Sequence, residues 1–592
     1  MLHHLHHLLH PLRVLWTERI ALFWPIWIAT TAIGVMLVIW VVPQRKSTAL
    51  DSIQSRRHDW SRAAMLAVAF LILFLACYIA GSLVWEDFTY YDNSYYTNGT
   101  LAGHDIPIQI LPESGRFWPL GDQEFNLLRH VTRSVTGYHA FRIVQLLLLS
   151  GILLVFDEEL SIKARVALIT LALITPSILI SFSGLIYMEA NILFWLVCLA
   201  WFVKCFEQTR FTAWAVAALV SSQFMLYYKE TALLLVFGFA VGRLLLRCWK
   251  MDHAGWDFKR LRDPESRLDM CLTLMSALFL LYYLAAMFPN FRTRYADNVR
   301  LPLKQVLASY LKVDLLVWVL VVVVLARILQ ILRHKVAPAP LWDGLALAGI
   351  GCLAGYLTLR MESAYYLAPV DLIAVLYLGR LAILSIENMG LGTRLCALAL
   401  LSVVLLQDLS LSAFRMYERK NVIHAKVEIG RAIKARYDSD PQDVKRLFFP
   451  FANPDRVMEF ASYLTYLGVP VEEAPAGSVA ASSVVLVGKA IQRKDGLGCA
   501  YPTGGYRTFV CHPGSRPDPG DLIVVLPDDS TLTDELNLYR LEGTGPLISY
   551  HPRPSIPQWL QPYVNRLHVV SPGFAHEQLP DSWLNASVTV WK

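Results

Sequence analysis

Two adjacent carboxylates, Glu86 and Asp87, follow Trp85 where the apolar run 63–84 gives way to a polar loop. That loop carries Tyr90, Tyr91, Asp92, Tyr95 and Tyr96, then Arg116-Phe117-Trp118-Pro119-Leu120, and returns to apolar sequence at Arg142-Ile143. Ionisable groups at a membrane boundary cost desolvation energy and are retained where they are paired or functional. A carboxylate held beside lipid suits a base acting on a substrate whose other half is a lipid-borne phosphate. The same two acids could simply end a helix at the water interface, so the weight falls on what accompanies them.

The elements that must position these groups are membrane helices. The chain is 55% apolar and only 17% charged, against about 25% charged in an average soluble domain. Apolar runs at 20–42, 63–84, 143–156, 166–188, 190–203, 211–228, 231–246, 270–288, 315–332, 344–359, 369–386 and 395–414 predict about twelve transmembrane helices. Several runs fall short of a full crossing, and snorkelling cations such as Arg243 and Arg247 are expected to extend them. The formal charge of +6 calls for no nucleic acid, because basic cytoplasmic loops are general in multispanning proteins.

Charge sets the orientation. Alternate loops carry Arg45, Lys46, Arg56, Arg57 and Arg62, then Lys163 and Arg165, Lys204 and Arg210, the segment 243–267, Arg333 with Lys335, and Arg394. These belong in the cytoplasm. The loop 85–142 and everything after about Phe414 then lie outside. The loop 289–312 breaks the rule by carrying Arg292, Arg294, Arg300, Lys304 and Lys312 on the outer side, which marks it as a candidate anion site.

The outer edge now collects a set. Glu189 sits in a tight connection between two runs, Lys229-Glu230 in another, and Arg360 with Glu362 in a third. Transfer of a sugar from a lipid phosphate needs a carboxylate to take a proton from the acceptor hydroxyl. It also needs fixed cations for the departing phosphate; Arg116, Lys229, Arg294 and Arg360 are the candidates. Tyr91, Phe117 and Trp118 are aromatic faces for sugar rings. The acids available are Glu86, Asp87, Asp92 and Glu189.

In this arrangement the chain from about Trp85 to Tyr366 resembles the membrane glycosyltransferases of the GT-C class, which include protein O-mannosyltransferases and the aminoarabinose transferases of lipid A. The resemblance rests on the acidic pair Glu86-Asp87 and on Arg116-Phe117-Trp118-Pro119-Leu120. Gly137 and Arg142 follow, then Glu189 after Thr175-Pro176, Lys229, and Tyr365-Tyr366-Leu367-Ala368-Pro369. It implies an inverting transferase using a polyprenyl-phosphate sugar, with Asp87 as base rather than Glu86, and Tyr365 at the substrate. A glycan, lipid or protein would be the acceptor. No organic cofactor is implied, and a divalent metal is compatible with the chemistry. Two features depart from the class: the acidic pair follows the second run rather than the first, and Glu189 stands where an Asp is usual. A transporter or lipid flippase and a non-catalytic envelope-assembly protein are the competing expectations.

The remaining signals concern the ends. Residues 1–414 are expected to form the membrane unit and 415–592 a small extracytoplasmic α/β domain, since helical segments there alternate with short apolar strands. Cys499 and Cys511 flank the turn Pro502-Thr503-Gly504-Gly505 and are expected to form a disulfide outside the cytoplasm. At the N-terminus His3, His4, His6, His7 and His10 interleave with leucines at helical spacing. That pattern reads as an amphipathic segment in the interface, with a metal site as the sharper alternative. The expected location is a plasma membrane of bacterial inner-membrane type.

Overall fold

The computed structural model describes residues 18, 20–42, 62–82, 100–101, 103–112, 116–185, 187–250, 255–287, 302–360, 364–385, 390–444, 446–449 and 454–472. Beyond these it describes 484–489, 492–493, 496–497, 510–512, 520–526, 543–550 and 586–591. Each of the twelve apolar runs falls on helix. The helices are α1 (Phe23–Val41), α2 (Arg62–Ser82), a short α3 (Gln123–Leu128) in the first loop, α4 (Val135–Phe156), α5 (Ile162–Leu173), α6 (Pro176–Ser183) and α7 (Met188–Thr209). They continue with α8 (Thr212–Tyr228), α9 (Ala232–Cys248), α10 (Pro264–Met287), α11 (Leu303–Val313), α12 (Leu315–Leu332), α13 (Pro340–Leu359), α14 (Ala368–Ser385) and α15 (Leu391–Ser439). Eight helices among the described residues are long and apolar enough to cross a membrane, so the chain is a multi-pass membrane protein.

The other runs show why a count from hydropathy alone drifts. The run 166–188 is two helices, α5 and α6, bent by 72° at Thr175-Pro176. Proline lacks the N–H that would continue α5 and pushes the preceding residue towards extended backbone; Thr175 is at ψ 138°. Helices α8 and α9 have 17 residues each, about 25 Å of rise against a hydrocarbon layer of about 30 Å. Phe414 lies within α15, which runs unbroken for 49 residues. At about 1.5 Å per residue that is long enough to cross a bilayer and continue well beyond it.

Arg243 and Arg247 do not snorkel. Arg243 is fully buried; its Nε donates to Asp269 at 2.7 Å and its Nη2 stands 3.0 Å from Glu207. Arg247 pairs with the same two acids. The short helix ends inside the bundle, and acids from α7 and α10 neutralise its last turn.

Helices α9 and α13 pack along small residues. A Cβ on Gly238 would lie 3.2 Å from the Ala348 backbone, and one on Gly355 2.1 Å from the Leu234 side chain. Backbones this close exploit dispersion and shape where lipid removes the hydrophobic drive. Thr231 and Tyr356 hydroxyls meet at 3.2 Å across the same pair, which fixes the start of α9 against the end of α13.

Contacts sort the helix ends into two sets. At one end Arg380 holds Asp157 at 2.9 Å, Arg327 approaches Asp343 at 3.4 Å, and Arg267 donates to the Val41 carbonyl at 2.8 Å. Arg210 pairs with Glu265 there too. The connections assigned to one side by charge thus share an end. Glu189, Lys229, Arg142 and Tyr366 gather at the other.

After the membrane helices a mixed sheet follows. Its strands are β5 (Arg446–Phe449), β6 (Val471–Glu472), β7 (Val484–Lys489), β10 (Val510–His512), β11 (Leu522–Val525), β12 (Gly543–Tyr550) and β13 (Ala586–Trp591); three two-stranded sheets pair β1 (Gln109–Leu111) with β2 (Arg116–Trp118), β3 (Trp249–Lys250) with β4 (Gly255–Trp256), and β8 (Gln492–Arg493) with β9 (Gly496–Leu497). The order is β10-β7-β5-β11-β13-β12, with β6 also on β7; β13 runs antiparallel to both neighbours and the rest are parallel. The last turns of α15 bury Val422, Val427, Ile429 and Ile433 against β5, β11 and helix α16 (Pro454–Tyr466). Cys511 lies in β10, and Cys499 lies outside the described residues, as does the N-terminal histidine segment.

Candidate functional site

The first loop is anchored to the bundle by a small hairpin. Strands β1 (Gln109–Leu111) and β2 (Arg116–Trp118) pair antiparallel, with Ile110 opposite Phe117. Phe117 is fully buried, its ring 5.4 Å from Tyr283, 5.6 Å from Phe279 and Tyr282, and 6.4 Å from Tyr227. Arg116 lies over the Trp118 ring at 4.7 Å. One residue past Pro119, Leu120 N–H donates to the Tyr227 carbonyl at 3.0 Å. Tyr227 is two residues before Lys229, so the loop is tied directly to the turn that carries the lysine.

Lys229 and Glu189 form an ion pair that is almost wholly buried. Glu189 sits in the first turn of α7, where a carboxylate also meets the positive end of the helix dipole. Lys229 Nζ lies 4.1 Å from the centre of the Tyr366 ring and 5.8 Å from that of Tyr365. Tyr365 in turn stacks at 4.4 Å on Tyr187. Three of the residues expected at the site, Glu189, Lys229 and Tyr365, are therefore brought together.

Beside them is a network whose acids the loop sequence did not mark. Arg142, fully buried in α4, donates from Nη1 to Asn191 at 2.7 Å and Gln145 at 2.9 Å. From Nη2 it donates to the Leu185 carbonyl at 2.7 Å and Glu124 at 3.2 Å. Asn191 closes the ring, donating to Glu124 at 2.6 Å. The Tyr228 hydroxyl also bonds Glu124. In the sequence Glu124 is one acid of an ordinary polar segment; only its three-residue neighbourhood with Pro119, Gly121 and Asp122 hints at a built turn.

Asp122 completes the group. It is 2% exposed and occupies the position that caps α3, yet its side chain makes no cap hydrogen bond. Its Oδ1 is buried without a hydrogen-bond partner, an arrangement that costs about 1–3 kcal/mol. Its φ of +60° is left-handed, which costs a non-glycine residue about 1 kcal/mol. Gly121 sets this turn against α7: a Cβ there would lie 2.7 Å from Met188 Sδ and 2.9 Å from the Trp118 carbonyl oxygen.

Burial first, then Glu124 and Glu189, with Arg142 opposing, holds the Asp122 carboxyl well above the usual carboxylate range. The folded chain therefore binds this proton more tightly than the unfolded chain. Stability should fall as pH rises from about 4 through the folded-state value. Asp122→Asn cannot ionise. It should melt above wild type at about pH 7 and lose that advantage towards about pH 4, as read by thermal unfolding in detergent.

The other expected residues divide. Arg360 ends α13 in a left-handed turn at φ +53°, and Arg116 and Trp118 form their own stacked pair. Glu86, Asp87, Tyr91, Asp92 and Arg294 lie outside the described residues. Among the described residues no group of His, Cys, Asp and Glu stands close enough to hold a metal ion. No known protein family matches the chain, and no curated protein or solved structure is detectably similar to it.

Proposed function

We propose that this protein is an inverting glycosyltransferase that moves a sugar from a polyprenyl phosphate to a glycan, lipid or protein acceptor outside the cytoplasm. The observation that carries the reading is the buried polar cluster at one end of the helix bundle. It combines two cations, Lys229 and Arg142, three carboxyls, Asp122, Glu124 and Glu189, and the aromatic faces of Tyr365 and Tyr366. Fixed charges in a site screened from water act on a developing phosphate charge far more strongly than exposed ones. The acceptor proton goes to Asp87, and Arg116, Arg294 and Arg360 attend the phosphate. The sheet after α15 belongs on the same outer side, and the apolar runs amount to about twelve crossings.

Two measurements test this. The purified chain in nanodiscs, given an extract of envelope glycans, lipids and proteins as acceptors, should pass the sugar to an acceptor hydroxyl and release polyprenyl phosphate from at least one member of a panel of polyprenyl-phosphate hexoses and pentoses. Single-cysteine variants in a cysteine-free background should take up an impermeant thiol reagent on intact cells at Ser94 and Ser555 but not at Ser55. Labelling at Ser55 alone would invert the chain and remove the outer-face reaction.

A second reading, a transporter or flippase, is favoured by a different feature. At the bend between α5 and α6, Ser177 donates to Asp371 of α14, which shares a hydrogen bond with Asp314 at the start of α12. Asp408 of α15 is buried close by. Broken helices and ionisable groups within the bundle are the usual furniture of transport sites. Lipid or solute movement in proteoliposomes that Asp371→Asn abolishes and Asp87→Asn leaves intact would decide for that reading.

A further inference from the structure

The carboxyls and cations of the cluster do not balance. Glu189 is taken by Lys229 and Glu124 by Arg142, so in this cluster of described residues two cations face three carboxyls, and Asp122 is the one over. Asp122 Oδ1 and Glu124 Oε2 are both buried without a donor, but Glu124 already holds Arg142 and Asn191 through its other oxygen. Asp122 stands where an aspartate would ordinarily satisfy the first N–H groups of its own helix, and its side chain does not do so. The turn that holds it is seated closely on α7, since a Cβ at Gly121 would run into Met188 and the Trp118 carbonyl.

A left-handed turn alone asks only for glycine or asparagine. A buried acid with an open acceptor, set in such a turn beside an arginine and an ion pair, asks for a hydroxyl. We infer that Asp122 is a substrate-binding residue whose free carboxyl oxygen accepts a hydrogen bond from a hydroxyl of the transferred sugar. The inference rests on the glycosyltransferase reading and names the part of the substrate that this corner of the cluster would hold. It gives Asp122 a role distinct from that of a proton-accepting base, because its contribution is made to the bound ground state as well as to the transition state.

The experiment uses the full chain in nanodiscs, with Asp122→Asn and Asp122→Gly beside wild type. With the same acceptor extract in excess, release of polyprenyl phosphate is followed over a range of donor concentrations, and each protein is melted. Both replacements accept a positive φ, so both should melt at or above wild type. Asp122→Gly, which removes the acceptor, should lose about two- to tenfold in kcat/KM, the worth of one neutral hydrogen bond, with the loss carried largely by KM, while Asp122→Asn keeps an acceptor oxygen and should stay near wild type. Wild-type kcat/KM in Asp122→Gly would make Asp122 a turn residue and overturn the inference alone. So would a fall in melting temperature in both, which would mark a structural role. A wild-type protein that turns over no donor of the panel would instead remove the glycosyltransferase reading, and this inference with it.

Discussion

Lys229→Met is expected to lower the stability of the folded protein by about 3–5 kcal/mol, the usual cost of stripping one partner from a buried ion pair. Glu189 would be left with its charge in a place that admits almost no water. The Tyr365 and Tyr366 rings, now beside a methionine, cannot repay that loss, because their attraction to the lysine depends on its charge. The double variant Lys229→Met/Glu189→Leu removes both charges and should recover most of the stability, since well-packed apolar replacements of buried pairs are commonly neutral. Sugar transfer should remain absent in both. Thermal unfolding and turnover measured on the same preparations separate the two effects. A single variant that melts with wild type would mean that the pair is not closed off from water. A double variant that still transfers sugar would remove the pair from the chemistry.

Asp87→Asn is expected to reduce transfer by about 10²–10⁴-fold, the range typical for loss of a general base. The amide cannot take the acceptor proton, while its shape leaves the loop otherwise unchanged. Membrane insertion and melting should match wild type. The loss should fall on kcat, whereas loss of Asp122 falls on KM, so the two acids are distinguishable in one kinetic experiment. Near-wild-type turnover by Asp87→Asn would transfer the base role elsewhere, and Glu86→Gln is then the next variant to assay.

The residues show which parts of this architecture were legible beforehand. Glu189 and Lys229 were readable as partners in position, because each sits in a connection too short to be a solvated loop. Their ends of α7 and α9 had to fall at one level. Tyr365 entered only through the resemblance, as part of an aromatic segment ahead of Pro369. The bend at Thr175-Pro176 was visible as a proline and still passed as one span, because hydropathy averages over a kink that backbone hydrogen bonding cannot. Arg243 was misjudged because snorkelling is a property of one helix, whereas its pairing with Asp269 and Glu207 depends on two others.

Hydropathy, charge and short connections are local properties of the chain, and by themselves they determined that it is a multi-pass helical membrane protein, which basic loops share an end, and that Glu189 and Lys229 stand at the opposite end. Tertiary structure alone decided which polar groups lose water. Asp122, Glu124, Asn191 and Gln145 come from a loop and two helices far apart in sequence, and nothing in the neighbours of Asp122 and Glu124 distinguishes them from solvated residues. They form one buried cluster because Leu120 is fastened to Tyr227 and Gly121 lies against Met188, which brings the start of α3 in beside Arg142. Burial is a property of the meeting of elements, and so is the cost of an unpaired carboxyl that singles out Asp122.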